Sequence, residues 1–395
     1  MDVQISTRVQ RIKPSPTLAV TARAAALRAA GKDIIGLGAG EPDFDTPEHI
    51  KQAAIKAIQD GFTKYTDVGG TAQLKQAIIA KFARENGLNY TPDQILVSVG
   101  GKQSFFNLAQ ALLNPGDEVI IPAPYWVSYP DMVLLADGIP VTIPAGIDQH
   151  FKITPAQLAA AITPRTRLVV INSPSNPTGS AYSREELTAL GDELRRHPGI
   201  LIATDDMYEH ILWTDQPFVN IVNACPDLFE RTIVLNGVSK AYSMTGWRIG
   251  YAGGPAPLIG AMKNVQSQST SNPTSISQVA AQAALEGDQS CISLMCKAFK
   301  ERHDFVVTEL NTIPGVRCIP GQGTFYTFPN VEELIQRLDN LHTDVELAEF
   351  LITEAGVALV PGSAFGAPGH LRLSFAVDLE TLREAIRRLK SVAKR

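Results

Sequence analysis

Short apolar segments alternate with amphipathic segments through the middle of the chain, between residues 74 and 257. Six of the apolar segments are rich in β-branched residues and apolar throughout; they cover residues 95–99, 118–122, 168–172, 201–205, 232–235 and 249–252. Several intervening segments, such as 183–196, have the apolar spacing of an amphipathic helix. This alternation predicts an α/β fold whose mainly parallel sheet is covered by helices on both faces.

The segments on either side of this region predict a second, smaller α/β unit. Residues 15–30 are typical of an arm that enters an alanine-rich helix, and residues 34–38 of a short strand that runs into a glycine-rich turn. Residues 47–60 predict a helix, and a long helical region runs from residue 273 to about residue 312. We therefore predict an arm with part of the small domain at 1–45, a large domain at 46–285 and the remaining small domain at 286–395.

Composition and charge exclude several classes of protein. The chain has 395 residues, of which 45% are hydrophobic and 19% charged, and its net charge is −5. This charge, without any Lys/Arg block, argues against a nucleic-acid surface. Because no apolar run could span a bilayer and the N-terminus lacks the apolar core of a signal peptide, we expect a cytoplasmic protein. The four cysteines have no metal-ligand spacing, which predicts reduced structural thiols and no metal site.

The residues directly after the predicted strands are the candidate functional residues, because parallel α/β sheets bind ligands at the carboxyl ends of their strands. Gly100, Gly101 and Lys102 open a helix, where free backbone amides and the helix dipole favour an anion such as a phosphate. By itself this motif is a weak signal. The glycines at 36, 38 and 40 fit neither a dinucleotide fingerprint nor a Walker loop, and they also suit close approach to a flat ligand.

Lys240 follows the predicted strand at 232–235 and lies among small and apolar residues, with no neighbouring run of charge. Burial disfavours the ammonium form, so a lysine here can be the neutral, nucleophilic amine that a Schiff base requires. The alternative is a strand-end lysine whose ammonium group extends to water.

Five further residues lie after strands or turns, and each has a functional and a structural interpretation. Trp126 can stack on a planar ring or belong to the core. Asn176 lies in a proline-flanked turn, from which its amide can donate to a ring hydroxyl. Asp205 can pair with a protonated ring nitrogen or cap a helix, and Tyr208 can present its hydroxyl to the same ligand. Arg248, expected on a strand that returns towards the phosphate, suits bidentate contact with an anion.

One ligand accounts for all of these groups: a flat heteroaromatic aldehyde that carries a phosphate, a ring nitrogen and a phenolic oxygen. This ligand is pyridoxal 5′-phosphate (PLP), bound through Lys240. A nucleotide-binding α/β protein would fit the sheet but would leave Lys240 unexplained. A regulatory PLP-binding protein would need a DNA-reading helix-turn-helix, for which we expect too few residues before Ile34.

Five motifs spread over nearly the whole chain resemble those of one family. They are AGEPDF at residues 39–44, YWVSYP at 125–130, NPTG at 176–179, SKAYSMTGWR at 239–248 and LRLS at 371–374. With them the chain resembles the class I aminotransferases of PLP fold type I, in particular the bacterial aspartate aminotransferases of subgroup Ib. The resemblance implies a ping-pong transferase that acts on small amino acids and 2-oxo acids as a homodimer with shared active sites.

The resemblance also implies roles for the residues at the ring of the cofactor. Lys240 would hold PLP and then shuttle the substrate proton. Asp205 would pair with the pyridinium, Asn176 and Tyr208 would contact the phenolic oxygen, and Trp126 would stack on the ring. The phosphate would be bound by Gly101, Lys102, Arg248 and Tyr65 of the partner subunit. The family often has Ser three residues before the lysine, whereas Gly237 stands here, so that hydroxyl is either missing or supplied by Ser239.

For the substrate, the resemblance implies that Arg372 binds the α-carboxylate, assisted by Gly40, Asn176 and Trp126. Ser15, Thr17 and Lys102 match positions that meet the distal carboxylate of aspartate or glutamate. Lys13 matches a position that accompanies amination of prephenate to arogenate, although most polar residues of such an arm are only solvated. The expected function is aspartate:2-oxoglutarate transamination with prephenate as a further acceptor. An aromatic aminotransferase and a carbon–sulfur lyase stay open as alternatives.

Overall fold

The computed structural model describes residues 3–393. Its strands are, in chain order, β1 Ile35–Gly36, β2 Ile95–Ser98, β3 Glu118–Ala123, β4 Ile139–Pro144, β5 Thr166–Asn172, β6 Leu201–Asp205, β7 Thr232–Gly237, β8 Gly250–Gly253, β9 Tyr326–Thr327, β10 Val357–Ala358, β11 Val360–Pro361 and β12 Leu371–Ser374. Its α-helices are α1 Thr7–Gln10, α2 Pro16–Ala29, α3 Glu48–Gln59, α4 Ala72–Lys81, α5 Gly101–Leu112, α6 Ser128–Leu135, α7 Pro155–Ala161, α8 Arg184–Arg195, α9 Ile221–Ala224, α10 Ala256–Ser267, α11 Ser275–Glu286, α12 Ser290–Leu310, α13 Glu332–Arg337, α14 Asp344–Phe350 and α15 Leu379–Val392.

The central sheet has seven strands in the order β2-β8-β7-β6-β5-β3-β4. All neighbours from β7 to β4 are parallel, and only β8 runs antiparallel to the strands on its two sides. The predicted α/β fold with a mainly parallel sheet is therefore confirmed. Strand β4 was not predicted; it lies at the edge of the sheet, is largely exposed, and contains two prolines, which occur mainly on edge strands.

Both faces of this sheet are buried, which explains why its strands are apolar without alternation. In β3, Val119 and Ile121 pack into the core on one face while Ile120 packs into the core on the other. Each such side chain contributes roughly 1.5–3 kcal/mol when it leaves water. The strands are therefore fixed from both sides, and the turns that follow their carboxyl ends have a rigid support.

A second core is formed mainly by the C-terminal part of the chain, from α12 onwards. It is built around the three-stranded sheet β11-β12-β9 and the parallel pair β1-β10, in which Ile35 lies opposite Val357. This pairing joins the glycine-rich N-terminal turn to the C-terminal unit. The long helical region predicted at 273–312 consists of two helices, α11 and α12, separated at Gly287. Within residues 3–393, no helix combines the length and apolarity that crossing a membrane would require.

Candidate active site

A cavity of about 260 Å³ lies where the carboxyl ends of the central strands face the second core. Most of the residues singled out from the sequence line it: Ser15, Thr17, Gly40, Gly101, Lys102, Trp126, Asn176, Asp205, Tyr208, Lys240, Arg248 and Arg372. Two others are not among the described residues that line it. Tyr65 is 92% exposed. Lys13 lies against Asp131. Burial raises the pKa of the Asp131 carboxyl, and the charge of Lys13 partly offsets that rise.

Lys240 lies in the turn after β7, and its Nζ donates a 2.6 Å hydrogen bond to the carbonyl oxygen of Gly40. Burial lowers the pKa of Lys240 to about 8, and the nearby charges of Arg248 and Arg372 act in the same direction, against the opposing charge of Glu41. The amine is therefore held inside the cavity and loses its proton more readily than an exposed lysine does. Such an amine is suited to nucleophilic attack on an aldehyde and to proton transfer.

Asp205 ends β6 and receives two hydrogen bonds on its carboxylate. The hydroxyl of Tyr129 donates to Oδ2 at 2.5 Å, and the backbone N–H of Met207 donates to Oδ1 at 3.3 Å. Burial raises the pKa of Asp205, while these donors and the charge of Lys240 oppose the rise. These interactions favour the ionised carboxylate, which can pair with a cationic group of a ligand.

Sequence reasoning missed Tyr129, although it lies in the YWVSYP motif. Its ring packs edge to face on Trp126, with centroids 5.2 Å apart, and it is buried in the same hydrophobic core as Phe105. The spacing of three residues was the available signal, because Trp126 and Tyr129 lie on the turn that enters α6, where the Tyr129 amide donates to the carbonyl of Trp126 at 3.1 Å. Nothing in the sequence indicated that the hydroxyl would reach a carboxylate 76 residues later.

Arg372 is buried and held from three directions. Its Nη1 donates to Asn176 Oδ1 at 2.9 Å and its Nη2 donates to the carbonyl of Gly38 at 2.7 Å. Its Cζ lies 4.4 Å from the ring centroid of Tyr326 and 4.9 Å from that of Phe365. Its Nε has no hydrogen-bond partner within the described part of the chain. A buried donor without a partner is costly, and a carboxylate in the cavity would satisfy it.

Tyr208 lies in the turn after β6, and its hydroxyl oxygen is 3.0 Å from that of Tyr326. Burial raises the pKa of Tyr208 well above its usual value, so the hydroxyl keeps its proton. Tyr326, from β9 of the second core, also lines the cavity and was not singled out from the sequence. The GTFY run at 323–326 carries no local signal of a site, since an aromatic residue in a short strand is most often only core.

An anion cradle lies at the start of α5. Gly100 has a positive φ of 80° and makes no side-chain cap, so the first amides of the helix are free to bind a ligand. The guanidinium of Arg248 packs directly on this turn: a Cβ at Gly100 would lie 2.2 Å from Arg248 Nη2. Helix amides and a guanidinium at one place favour a phosphate.

The expectation that Arg248 lies on a strand is wrong. It follows the 3-10 turn Thr245–Trp247 in the left-handed conformation, with φ 56°, and β8 begins two residues later. Its Nη1 donates to the carbonyl of Thr245 at 2.6 Å. The apolar run at 249–252 suggested an earlier strand start, because sequence alone does not show where a tight turn ends.

Hydroxyl and ammonium groups of Ser15, Thr17 and Lys102 also line the cavity. The buried Thr17 Oγ1 has no partner among the described residues, and Ser15 makes no side-chain cap on α2. The Nζ of Lys102 lies 5.3 Å from the ring centroid of Trp126. Burial, with a smaller contribution from Arg248, lowers the pKa of Lys102.

Gly237 and Ser239 have different surroundings. A Cβ at Gly237 would lie 3.0 Å from the carbonyl oxygen of Ile249 and 3.1 Å from Gly250 Cα, so a serine at 237 would need the neighbouring strand to move. Ser239 is buried and lines the cavity. A serine at position 237 would therefore be tightly packed against the neighbouring strand.

The residues of the cavity fit PLP. They comprise a buried amine with a lowered pKa, a carboxylate for a ring nitrogen, a protonated phenol for an oxygen, an indole for ring stacking and a cradle for a phosphate. With the doubly covered parallel sheet, this set defines an enzyme of PLP fold type I.

Comparison with known proteins gives the family. The model of the family "Aminotransferase class I and II" matches residues 32–389, which is most of the chain. The chain therefore belongs to the class I and II aminotransferases, and it is a PLP-dependent transferase. The predictions of family, fold and cofactor are confirmed.

Relatives and solved structures agree over the full length. The chain is 64% identical over 395 residues to an aspartate/prephenate aminotransferase of Nitrosomonas europaea, with 99% of this chain and 100% of the relative covered. It is 52% identical over 387 residues to an aspartate aminotransferase of Geobacillus stearothermophilus, with 98% of each covered. A crystal structure of the aspartate aminotransferase from Rhizobium meliloti matches with a TM-score of 0.96 at 49% identity, covering 100% of both chains.

Proposed function

We propose that this aminotransferase transfers the amino group of aspartate to 2-oxoglutarate and that it also aminates prephenate to arogenate. The observation that carries the proposal is a single cavity lined by the buried Arg372 and by Lys102, Ser15 and Thr17. A guanidinium together with an ammonium group and two hydroxyls suits a substrate with two carboxylates. The names of the relatives with 64% and 52% identity support this substrate class.

Arg372 orients the substrate. Its guanidinium is held by Asn176 and Gly38 and supported by two rings, so its plane is set before a carboxylate arrives. A bidentate contact with the α-carboxylate then fixes the direction of the substrate's Cα–H bond relative to Lys240. Lys102 and the hydroxyls of Ser15 and Thr17 bind the distal carboxylate.

Lys240, Asp205 and Tyr208 carry the chemistry. PLP, when bound, supplies an aldehyde for the amino group and a ring that withdraws electrons. Lys240 Nζ, with its pKa lowered to about 8, takes up and releases the proton that the substrate Cα loses. Asp205 stabilises positive charge at the ring nitrogen, and a charge pair at about 4 Å contributes roughly 4 kcal/mol at an effective dielectric of 20. Tyr208 donates its hydroxyl to the phenolic oxygen.

We also propose a homodimer in which Tyr65 of the partner subunit reaches the phosphate. The observation behind this proposal is an exposed apolar surface formed by Ile55 and Ile58 of α3 with Phe62 and Tyr65 of the following loop, with exposures of 42%, 55%, 38% and 92%. An exposed aromatic beside apolar helix positions is typical of an interface. Tyr65 is outside the cavity of its own chain, so a second subunit is needed to bring it to a phosphate.

Two further proposals concern the whole chain. We propose that the boundaries of its domains lie near residues 45 and 285, in accord with the two separate hydrophobic cores. We propose a cytoplasmic location, which suits the four free cysteines at 225, 291, 296 and 318, because thiols stay reduced in that compartment.

Product analysis tests the reaction. Purified protein incubated with aspartate, 2-oxoglutarate and PLP should form oxaloacetate and glutamate, and prephenate should replace 2-oxoglutarate as acceptor. Lys240→Ala should abolish both reactions, while Lys152→Ala should not, because Lys152 pairs with Glu186 away from the cavity. Absence of oxaloacetate, or formation of pyruvate and ammonia from a cysteine conjugate instead, would contradict the proposal.

The arm residue Lys13 provides a test of acceptor choice. If Lys13 contributes to prephenate binding, Lys13→Ala should lower kcat/KM for prephenate several-fold and leave kcat/KM for 2-oxoglutarate nearly unchanged. The matched control is Lys32→Ala, an exposed lysine outside the cavity lining, which should change neither value. An equal loss for both acceptors would remove Lys13 from the specificity site.

A further inference from the structure

We propose that Tyr326 is a positioning residue that links the two halves of the active site: its hydroxyl orients Tyr208, and its ring supports Arg372. The proposal rests on the proposed function, because Tyr208 and Arg372 receive their ligands there. It adds a residue of the second core to the groups that control the cofactor ring.

The ring of Tyr326 is placed under Arg372 by strand pairing. β9 and β12 are antiparallel, with Tyr326 opposite Ser374. Arg372 is two residues before Ser374 and therefore points to the same face, at the diagonal position beside Tyr326. The distance of 4.4 Å from Arg372 Cζ to the ring centroid is that of a cation–π contact, which is strongest where water is excluded.

The hydroxyl of Tyr326 is placed on Tyr208, which follows β6 of the central sheet in the chain and packs with Tyr326 in the second core. The two oxygens are 3.0 Å apart, and each phenol has a single O–H to donate. If Tyr208 donates to the phenolic oxygen of the cofactor, it can only accept from Tyr326. Tyr326 is therefore the donor, and hydrogen bonds arranged in such a chain strengthen one another.

A third contact brings Lys240 into the same group. A Cβ at Gly40 would lie 2.9 Å from the Tyr326 hydroxyl oxygen, so only a glycine leaves room for it. The carbonyl of Gly40 is the acceptor of the Lys240 ammonium hydrogen bond at 2.6 Å. Tyr326 therefore touches the segment that holds the amine, the phenol at the cofactor ring and the arginine for the substrate carboxylate.

The alternative is that Tyr326 only fills the second core, where it packs on Phe325 with ring centroids 4.6 Å apart. Two variants separate these possibilities. Tyr326→Phe removes the hydroxyl and keeps the ring, whereas Tyr326→Leu removes both. If Tyr326 only packs in the second core, both variants should lower the stability of the protein, and neither should change ligand binding in a way that depends on which chemical groups the ligand carries.

The hydroxyl is tested by equilibrium binding to the cofactor-free protein. Tyr326→Phe should weaken PLP binding about two- to tenfold, the effect of one lost hydrogen bond, and should leave the binding of 3-deoxypyridoxal phosphate unchanged. That analogue lacks the phenolic oxygen, so Tyr208 has nothing to donate to. Equal weakening for both ligands, or none for PLP, would overturn the role of the hydroxyl.

The ring is tested by binding of a dicarboxylate such as maleate to the holoenzyme. Tyr326→Leu should weaken maleate binding several-fold, and Tyr326→Phe should not, because only the first loses the π-surface under Arg372. Unchanged maleate binding in Tyr326→Leu would overturn the role of the ring. If the leucine variant does not fold, Tyr326→Phe still decides the role of the hydroxyl.

Two controls keep this inference separate from the proposed function. Tyr182→Phe removes a buried hydroxyl that accepts from the Ile153 amide at 2.9 Å outside the cavity. It should leave unchanged the ratio of the affinity for PLP to the affinity for 3-deoxypyridoxal phosphate. Tyr208→Phe should weaken PLP selectively. If Tyr208→Phe does not weaken PLP binding selectively, the proposed role of Tyr208 is wrong. If Tyr208→Phe weakens PLP binding selectively but Tyr326→Phe does not, only the inference about Tyr326 is wrong.

Discussion

Burial shifts the pKa values of Lys240 and Asp205 in opposite directions. Burial lowers the pKa of Lys240 to about 8 and raises the pKa of Asp205, so it opposes the ionised form of each. For the lysine this is useful, because the neutral amine is the reactive form. For the aspartate it is not, and the hydrogen bonds from Tyr129 and Met207 counteract it.

A first prediction concerns the pH dependence of the free amine. The rate at which cofactor-free protein combines with PLP should rise with pH with a midpoint at about 8, because only unprotonated Lys240 attacks the aldehyde. The absorbance change on mixing measures this rate. A midpoint near the ordinary lysine pKa, about 10.4, would show that burial does not control the amine.

A second prediction concerns the carboxylate of Asp205, which we propose pairs with the ring nitrogen of PLP. Asp205→Ala should retain the cofactor and lose roughly a thousandfold in kcat, the equivalent of about 4 kcal/mol of electrostatic stabilisation. Single-turnover measurements of the variant would determine the loss.

The matched control is the neighbouring carboxyl of Asp206. Its pKa is raised to about 7 by burial and by Glu209, and it is bonded to Thr204 and Asn220 away from the cavity. Asp206→Asn should therefore leave kcat within a few-fold. Near-normal turnover in Asp205→Ala would contradict the assignment of Asp205.

At the scale of elements, the anion cradle, where we expect the phosphate of PLP, depends on close packing between α5 and β8. A Cβ at Gly250 would lie 2.2 Å from the amide nitrogen of Gly101, the first residue of the helix. The strand and the helix start can be this close only because position 250 is a glycine. The free amides are therefore positioned by backbone contact rather than by a side chain.

A third prediction follows from this contact. Gly250→Ala should destabilise the protein by about 1–3 kcal/mol through overpacking and should weaken PLP binding more than pyridoxal binding, because it displaces the Gly101 amide. Gly260→Ala, in the middle of α10 with open space around it, should instead add about 0.5–1 kcal/mol. Thermal unfolding and cofactor titration of both variants would test this. Equal weakening of PLP binding and of pyridoxal binding in Gly250→Ala would exclude a specific effect on the phosphate site.

At the scale of the whole molecule, the proposed dimer makes the active site a product of two chains. Lys240 lines the cavity, whereas Tyr65 of the same chain is exposed elsewhere. A phosphate contact from Tyr65 therefore requires the partner's Tyr65. Each subunit would then lose cofactor affinity on dissociation even if its own fold persisted.

A fourth prediction tests this sharing by subunit complementation. Tyr65→Ala and Lys240→Ala homodimers should each have impaired activity. Mixing the two in equal amounts under conditions that exchange subunits makes about half of the dimers mixed, and each mixed dimer has one site with both Lys240 and Tyr65. About one quarter of all sites should therefore be intact. Activity should therefore rise above the mean of the two parents. No rise, with exchange verified, would place Tyr65 outside the partner's site.

The sequence by itself determined the sheet, the family and most of the cavity lining. Continuous apolar strands can only be buried on both faces, and polar residues directly after such strands meet at one edge. Lys240, Asp205 and Arg372 could thus be found without coordinates, from local pattern and motif together. The bounds of all six predicted strands agree with the structure to within two residues at each end.

Only the tertiary structure decided which groups touch across long separations. Tyr129 reaches Asp205 and Tyr326 reaches Tyr208 over 76 and 118 residues, and no local periodicity specifies such a contact. The left-handed turn at Arg248 and the exposed position of Tyr65 were likewise settled by packing. The physical reason is that propensity and amphipathicity act over one or two turns of chain, whereas a hydrogen bond between residues far apart in the sequence depends on how the elements pack in three dimensions.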